Sequence, residues 1–182
     1  MPKPQRGDLA PDVRVFDGSG SEQMLSTQWS NQPAVAVFLR HYGCTFCQEH
    51  ALQLRADHTK FKKAGVKVAL IGLGTPERAA WFCQDKELNG FACLTDPARR
   101  AHRAYGLGRG SLRQVLGPQV YLQWAKAAML PEVKTRFGHE DIFQMPGTFV
   151  IDTDGVLRFV HRNRDVADNP PNQEIFDALK EL

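Results

Sequence analysis

Two apolar runs that flank one helical segment constrain the fold more than any other part of the sequence. The runs are Ala34–Leu39, which contains no polar side chain, and Val66–Leu73, which contains a single charged one. Such runs are typical of β-strands covered on both faces. Between them, apolar residues recur at near-helical spacing from Cys47 to Lys63, and Gly65 ends the helix. A strand, a helix and a strand in this order form a βαβ unit, whose two strands we expect to be parallel.

The rest of the chain is predicted to continue the same α/β pattern. Before the βαβ unit, a strand is predicted from Val13, ending in a turn at Gly18 and Gly20. After the unit, the sequence predicts a helix at 75–88, a strand at 91–95 and a helix at 96–105. The chain then ends with a hairpin of strands 148–152 and 156–161 around Asp154-Gly155 and a helix at 172–182. The sequence contains no repeat and no linker, so we predict a single domain over residues 1–182. The predicted fold class is α/β, with a central mixed β-sheet flanked by helices.

Composition narrows the classes of protein. Of the 182 residues, 42% are apolar and 24% are charged, as expected for a globular domain with its own core rather than a disordered chain. The net charge is only +3, so we expect no nucleic-acid partner. No apolar run approaches the roughly 18 residues that span a bilayer, and the first eight residues lack the apolar region of a secretory signal peptide. We therefore expect a cytoplasmic protein with no membrane partner and with mostly reduced thiols.

Cys44 and Cys47 lie at the joint between the first buried strand and the helix that follows it. A cysteine at a helix N-terminus meets unpaired backbone N–H groups and the positive end of the helix dipole, and both favour the thiolate. The three-residue offset places the second sulfur close enough to form a disulfide. Such a pair can attack a substrate and then resolve the product internally. A C-x-x-C motif at the strand-to-helix joint of a βαβ unit therefore predicts thiol redox chemistry.

A zinc site is the competing interpretation of the same segment. His41, Cys44, Cys47 and His50 recur every third residue, and two cysteines with two histidines suit zinc. Side chains at this spacing fan around a helix, however, and structural zinc sites normally join two separate segments. We therefore predict no metal.

Cys83 and Cys93 lie within apolar patterns. We predict that they are free core cysteines, because an unpaired cysteine packs as a small apolar side chain. Three histidines show no partner pattern and receive no role: His58, His102 and His139.

Residues 97–131 form a segment with six basic residues and no acidic one. The basic residues are Arg99, Arg100, Arg103, Arg109, Arg113 and Lys126. A basic surface can attract an anionic substrate or partner, but charges on helices usually face water, and we favour that interpretation. In the same segment, the spacing of Tyr121 and Trp124 predicts a helix whose aromatic residues face the core rather than a base-stacking platform.

Met145 and Pro146 directly precede the predicted hairpin. A proline here can hold a cis peptide bond and present the Met145 backbone to a bound sulfur substrate. It can equally be an ordinary proline at the entry to a strand. The sequence leaves the isomer open.

Taken together, these motifs resemble the AhpC/TSA (alkyl-hydroperoxide-reductase and thiol-specific-antioxidant) group of the thioredoxin-fold superfamily. The resemblance covers most of the chain, and four blocks carry it: Gly7–Asp12, Cys93–Leu107, Phe149–Gly155 and Phe159–Arg164. The last block and the C-x-x-C motif are similar to the peroxiredoxin-like branch of the group. The resemblance implies a thioredoxin-like fold in which residues 107–144, the least similar part, are a helical insertion.

The cysteine positions depart from the peroxiredoxin pattern. Typical peroxiredoxins carry Pro-x-x-x-Thr-x-x-Cys and an arginine before the hairpin strand. Here Cys44 stands in the threonine position, Cys47 in the peroxidatic position, and Pro146 near the arginine position. The peroxiredoxin alignment favours Cys47 as nucleophile, whereas the helix-terminus argument and the similarity to thioredoxin favour Cys44.

We predict that Cys44 attacks and Cys47 resolves. The predicted substrate-binding or activating residues are Arg40, Thr45, Met145 and Pro146. The resemblance implies a thiol oxidoreductase that reduces peroxides or disulfides, needs no cofactor and is restored by an external thiol such as thioredoxin or glutathione. The oligomeric state is left open, with a homodimer as one option. The alternative function is a non-catalytic thioredoxin-fold module that senses redox state or binds a partner.

Overall fold

The computed structural model of the chain describes residues 2–134 and 141–182. Its strands are β1 (Arg14–Asp17), β2 (Glu22–Met24), β3 (Ala34–Phe38), β4 (Lys67–Gly72), β5 (Ala92–Thr95), β6 (Gly147–Ile151) and β7 (Leu157–Arg162). Its helices are α1 (Thr45–Ala56), α2 (His58–Lys63), α3 (Pro76–Asp85), α4 (Arg100–Ala104), α5 (Leu112–Leu116), α6 (Pro118–Ala128) and α7 (Asn172–Leu179).

The described strands form one mixed sheet in the order β2-β1-β5-β4-β3-β6-β7. β3, β4 and β5 run parallel to one another, which confirms the predicted βαβ unit. β6 and β7 form the predicted antiparallel hairpin, and β6 also pairs antiparallel with β3. The predicted α/β class with a central mixed sheet is therefore confirmed.

Side chains of β3 alternate between the two faces of the sheet. Val35 and Val37 belong to the same core cluster as Leu54 of α1, whereas Ala36 and Phe38 belong to the cluster on the opposite face. The crossovers from β3 to β4 and from β4 to β5 run in the same direction. Right-handed connections therefore place α1 and α3 on the same face, and the loop from β3 to α1 lies at the carboxyl edge of the parallel strands.

Tyr42 anchors that loop to the centre of the sheet. Its ring is fully buried, and its hydroxyl donates to the carbonyl of Leu94 over 2.5 Å. The ring packs on Gly72 at the end of β4, where an added Cβ would lie 2.6 Å from a ring carbon. A side chain at position 72 would thus displace Tyr42 and with it the loop that carries Cys44.

The helix predicted from Cys47 to Lys63 is instead divided at Asp57 into α1 and α2. The cause is a tertiary contact from the start of α7. The Asn172 side-chain amide donates to the Gln53 carbonyl and to the Asp57 carboxylate, each over 2.8 Å. A contact between residues so distant in sequence leaves no local signal at which to break the helix.

Two other elements differ from the prediction. β2 was not predicted, because it has three residues and pairs only along β1 at the edge of the sheet. The helix expected at 96–105 is shorter and begins at Arg100, whose backbone N–H is bound by the Asp96 carboxylate over 2.8 Å.

The segment predicted as a helical insertion contains α5 and α6 within its described part; residues 135–140 lie outside the described residues. That it is an insertion stays a prediction. No helix in the described ranges is both long enough and apolar enough to cross a lipid bilayer.

The prediction that Cys83 and Cys93 are free was wrong, because they form a disulfide. α3 packs against β5, and this brings the two Cα atoms to 6.1 Å, within the range that a disulfide bridges. The apolar pattern correctly placed each cysteine beside the core. It could not show that the two side chains face each other.

The prediction that Tyr121 and Trp124 face the core was also wrong. α6 packs through Val120 and Ala127, which are buried and seven residues apart. Tyr121 is 68% exposed and Trp124 is 41% exposed, and their rings stack with centroids 6.3 Å apart. The periodicity of α6 identified an amphipathic helix but assigned the aromatic pair to the wrong side of it.

We predict that reducing the Cys83–Cys93 disulfide lowers the free energy of unfolding by about 2–3 kcal/mol, because the closed loop of about ten residues then gains conformational freedom in the unfolded chain. Urea denaturation with and without a reductant measures the effect. A Cys44→Ser/Cys47→Ser variant should keep the reductant dependence, and a Cys83→Ser/Cys93→Ser variant should lose it. The same reductant dependence in both variants would contradict the assignment.

Candidate functional site

The C-x-x-C motif lies where the sequence predicted it, between β3 and α1. Cys44 precedes the first residue of α1 in an extended conformation, with φ −74° and ψ 124°, and Cys47 lies in the first turn. Both are free thiols. They are 4% and 3% exposed, so either sulfur would need polar partners to carry charge.

Arg40 supplies polar contacts to both sulfurs. Its backbone N–H donates to Cys47 Sγ over 3.3 Å, and its Nη1 donates to Cys44 Sγ over 3.6 Å. Its Nη2 donates to the carbonyl of Ile142. The guanidinium is therefore held beside the Cys44 sulfur, and Arg40 is a buried partner of the cysteine pair rather than an ordinary exposed arginine.

The two thiols have opposite electrostatic environments. Burial alone would raise the pKa of Cys44, but the hydrogen bond from Cys47 and the charges of Arg40 and His41 outweigh it and lower that pKa to about 5. The pKa of Cys47 is raised by burial and by its hydrogen bond to Cys44 and the negative charge there. Cys44 is thus the thiolate and Cys47 the thiol that donates to it.

Cys44 borders an open, largely apolar cavity of about 350 Å³. Among the described lining residues, Arg40, His41 and Thr45 are polar and come from the loop and helix start that carry Cys44. The apolar wall comes mainly from α5 and α6 and consists of Val115, Leu116, Val120, Tyr121, Trp124, Ile142 and Val166 with Phe46. Cys47 is absent from this lining, so the cavity gives access to Cys44.

Two sets of contacts hold the cavity wall in place. The side-chain amide of Gln48, on α1, exchanges hydrogen bonds of 2.9 and 2.8 Å with the backbone of Lys134, beyond α6. On the other side, Arg99 and Arg109 form ion pairs with Asp141, which adjoins Ile142. These two arginines of the basic segment therefore have a local acidic partner.

Thr45 is buried at the start of α1 and lines the cavity beside Cys44. Met145 and Pro146 do not line it. The Met145 backbone N–H donates to the carbonyl of Gly108, and its sulfur packs so closely on Gly110 that an added Cβ there would lie 2.5 Å away. The Met145–Pro146 peptide bond is trans. The structure therefore brings Arg40 and Thr45 to Cys44 and leaves the other two residues outside the cavity.

The four residues of the zinc alternative do not form a metal site. Within 2–134 and 141–182, no group of three or more His, Cys, Asp or Glu side chains is arranged to hold a metal ion. His41 lines the cavity. Burial, together with the charge of His161, lowers the pKa of His50 to about 4, so that this side chain is neutral inside the protein.

Sequence reasoning missed two parts of this site. Leu116 and Ile142 in the cavity wall carry no signal, because an isolated apolar residue in a short helix or loop resembles any core residue. His102, to which we had assigned no role, is buried and binds the Asp96 carboxylate over 2.9 Å. The six-residue spacing of this pair matches no standard motif.

Comparison with known proteins agrees with the fold. The model of the AhpC/TSA family matches residues 6–160. "Thioredoxin-like protein AAED1, chloroplastic" from Arabidopsis thaliana is 25% identical over 94% of this chain and 71% of its own length. "Peroxiredoxin-like 2C" from Mus musculus is 25% identical over 92% of this chain and 77% of its own length. Peroxidoxin BcpB from Mycobacterium tuberculosis superposes with a TM-score of 0.72 at 20% identity, over 97% of both chains, which confirms the thioredoxin-like fold.

We predict that the rate at which iodoacetamide alkylates the reduced protein rises with pH through a midpoint near 5 and then stays level, because Cys44 is a thiolate above that pH. Cys47→Ser should keep the low midpoint, since a hydroxyl still donates to Cys44. Cys47→Ala should raise it. A midpoint near the ordinary thiol value of about 8.5 in the unmodified protein would contradict this assignment.

Proposed function

The chain belongs to the AhpC/TSA family, and from this premise we propose that it is a peroxiredoxin-like thiol oxidoreductase that reduces a peroxide or a disulfide through Cys44 and Cys47. One observation carries the assignment of roles. Cys44 faces the cavity with Arg40 beside its sulfur, whereas Cys47 lies behind it with its sulfur bound to the backbone. The first thiol is placed to attack and the second to resolve.

With a hydroperoxide, the Cys44 thiolate bonds to the terminal peroxide oxygen while the O–O bond breaks. The alkoxide that leaves takes up the proton which the Cys44 thiol had released, and departs as an alcohol. The Cys47 sulfur then attacks Cys44 Sγ, expelling water and forming the intramolecular disulfide. Two thiols and one hydroperoxide thus become one disulfide, one alcohol and one water.

With a disulfide substrate, the same thiolate forms a mixed disulfide and releases one substrate thiol. Cys47 then attacks Cys44 Sγ and releases the second thiol. In either case the Cys44–Cys47 disulfide must be reduced by an external thiol, such as thioredoxin or glutathione. The partners proposed are therefore the oxidising substrate and a thiol reductant.

The wall of the cavity favours a substrate with an apolar group. Leu116, Tyr121 and Trp124 line the same cavity as Cys44 and Arg40. A substrate that buries an apolar group here gains binding energy which hydrogen peroxide cannot obtain. We accordingly propose an organic hydroperoxide, or an apolar disulfide, rather than hydrogen peroxide as the better substrate.

Separate serine variants test the proposed roles. Cys44→Ser should reduce the rate with both oxidants to that of the uncatalysed reaction, because the low-pKa thiolate is gone. Cys47→Ser should still react once and then stop as a Cys44 sulfenic acid or mixed disulfide, which mass spectrometry detects. If the unmodified protein reacts no faster than a free thiol in stopped-flow experiments with both oxidants, the enzyme proposal fails and the redox-sensing alternative stands.

Two leucines of α5 offer a matched test of the cavity. Leu116, which lines it, is 66% exposed, and Leu112, which does not, is 64% exposed. Leu116→Ala should lower kcat/KM for cumene hydroperoxide by about three- to tenfold, because apolar contact with the substrate is lost, and should leave the value for hydrogen peroxide unchanged. Leu112→Ala should change neither. Equal effects of the two substitutions on kcat/KM would contradict the proposal that the cavity binds the substrate.

A further inference from the structure

The peptide group between Leu39 and Arg40 is hydrogen-bonded at both of its ends. Its carbonyl oxygen lies 3.0 Å from His102 Nε2. Its N–H, which belongs to Arg40, donates to Cys47 Sγ over 3.3 Å. A single rigid amide therefore connects a histidine on one face of the sheet to the cysteine pair on the other.

The two ring nitrogens of His102 face different oxygen atoms. Nε2 faces the Leu39 carbonyl, which can only accept, so this nitrogen donates to it over 3.0 Å. Nδ1 lies 2.9 Å from Asp96 Oδ2, and the Asp96 carboxyl group also accepts the backbone N–H groups of Arg100 and His102. The His102 ring is therefore fixed between Asp96 on one side and the Leu39 carbonyl on the other.

The surroundings of the His102 ring leave this pair little freedom. His102 and Asp96 are both buried. The ring meets Phe38 edge to face, with centroids 5.1 Å apart. Phe38 is the last residue of β3 and directly precedes Leu39. The His102 ring is thus held at the point where β3 becomes the loop of the cysteine site.

We propose that His102 and Asp96 are positioning residues for the cysteine pair: His102, held by Asp96, fixes and polarises the Leu39–Arg40 peptide, which holds the Cys47 sulfur through the Arg40 N–H. The inference deepens the proposed function, on which it rests for the identity of the reacting thiols. A hydrogen bond to a carbonyl makes the N–H of the same peptide a stronger donor. A stronger donor on Cys47 Sγ makes the Cys47 thiol a better donor to the Cys44 thiolate.

The sign of the effect follows from this chain of donors. Each link from His102 to Cys44 stabilises negative charge on the sulfur that reacts. Removing the donor on the Leu39 carbonyl should therefore disfavour the thiolate and raise the pH at which the protein becomes reactive. A pair that merely anchored α4 to the sheet would change the stability of the protein and leave the chemistry of the thiols alone.

Two substitutions of His102 separate these roles. Gln places its amide nitrogen near the Nε2 position, so His102→Gln retains a neutral donor to Leu39. Asn places its amide nitrogen near the Nδ1 position, so His102→Asn retains the contact with Asp96 and loses the one with Leu39. We expect His102→Asn to raise the midpoint of the alkylation pH profile by about one unit, which is about a tenfold lower rate below the original midpoint. His102→Gln should give about half that shift.

Leu157→Ala is the control for lost stability. Leu157 is fully buried in the same cluster as Phe38 but has no contact in the donor chain, and its truncation should lower the urea concentration at the midpoint of unfolding. Its pH profile should match that of the unmodified protein. Unshifted profiles in both His102 variants, or equal shifts in all three variants, would overturn the proposal.

A measurement on the unmodified protein does not depend on whether the variants fold. Nitrogen-15 NMR of the His102 ring should show a hydrogen on Nε2, and the ring signals should move when Cys44 and Cys47 are oxidised to the disulfide. An Nε2 without a hydrogen, or ring signals that do not move on oxidation, would refute the inference. Alkylation and NMR require no peroxide turnover. The inference can therefore fail while the proposed function holds, and the proposed function can fail while the inference holds.

Discussion

Two sulfur atoms and a guanidinium are buried together at the carboxyl end of β3, and the energetics of the site depend on how they satisfy one another. An isolated ion in a protein interior costs several kcal/mol even after relaxation. A buried Cys44 thiolate is possible because Arg40 lies 3.6 Å away and because Cys47 donates to it. Arg40 is itself restrained by the Ile142 carbonyl. The negative charge of the Cys44 thiolate is thus balanced by Arg40, which lies in the same loop.

The same arrangement separates the roles of two chemically identical side chains. The thiols compete for one negative charge, and the first to ionise raises the pKa of the other. Cys44 lies at the helix start with the Arg40 guanidinium beside its sulfur, whereas Cys47 Sγ accepts the Arg40 backbone N–H. The charge therefore resides on the sulfur that faces the cavity. In the proposed reaction, oxidation of Cys44 removes the charge that opposes ionisation of Cys47, so the thiol proposed to resolve becomes easier to deprotonate.

Much of this site could be predicted from sequence because its causes are local. The buried strand, the helix start and the C-x-x-C motif lie within 14 residues, from Ala34 to Cys47, so short-range patterns determine their arrangement. The errors arise where the cause is distant in sequence or in space. The Cys83–Cys93 disulfide depends on how α3 packs against β5, and the break at Asp57 depends on Asn172. The sequence suggested no partner for His102 because one of its partners is the backbone carbonyl of a residue 63 positions away. Every residue has such a carbonyl, so the residue types in the sequence do not reveal the contact.

The aromatic residues of α6 expose a different limit of sequence patterns. A helix with one apolar side is expected to bury it, and Tyr121 and Trp124 would then be core residues. In the structure, Val120 and Ala127 provide the packing, and the aromatic pair borders a cavity that is open to solvent. Leaving such surface exposed forgoes burial energy of roughly 25 cal/mol per Å². Under the proposed function, that energy becomes available when a substrate with an apolar group enters and helps to hold the reacting bond against Cys44. Periodicity cannot distinguish apolar surface buried on folding from apolar surface buried on binding, because both place the same residue types at the same spacing.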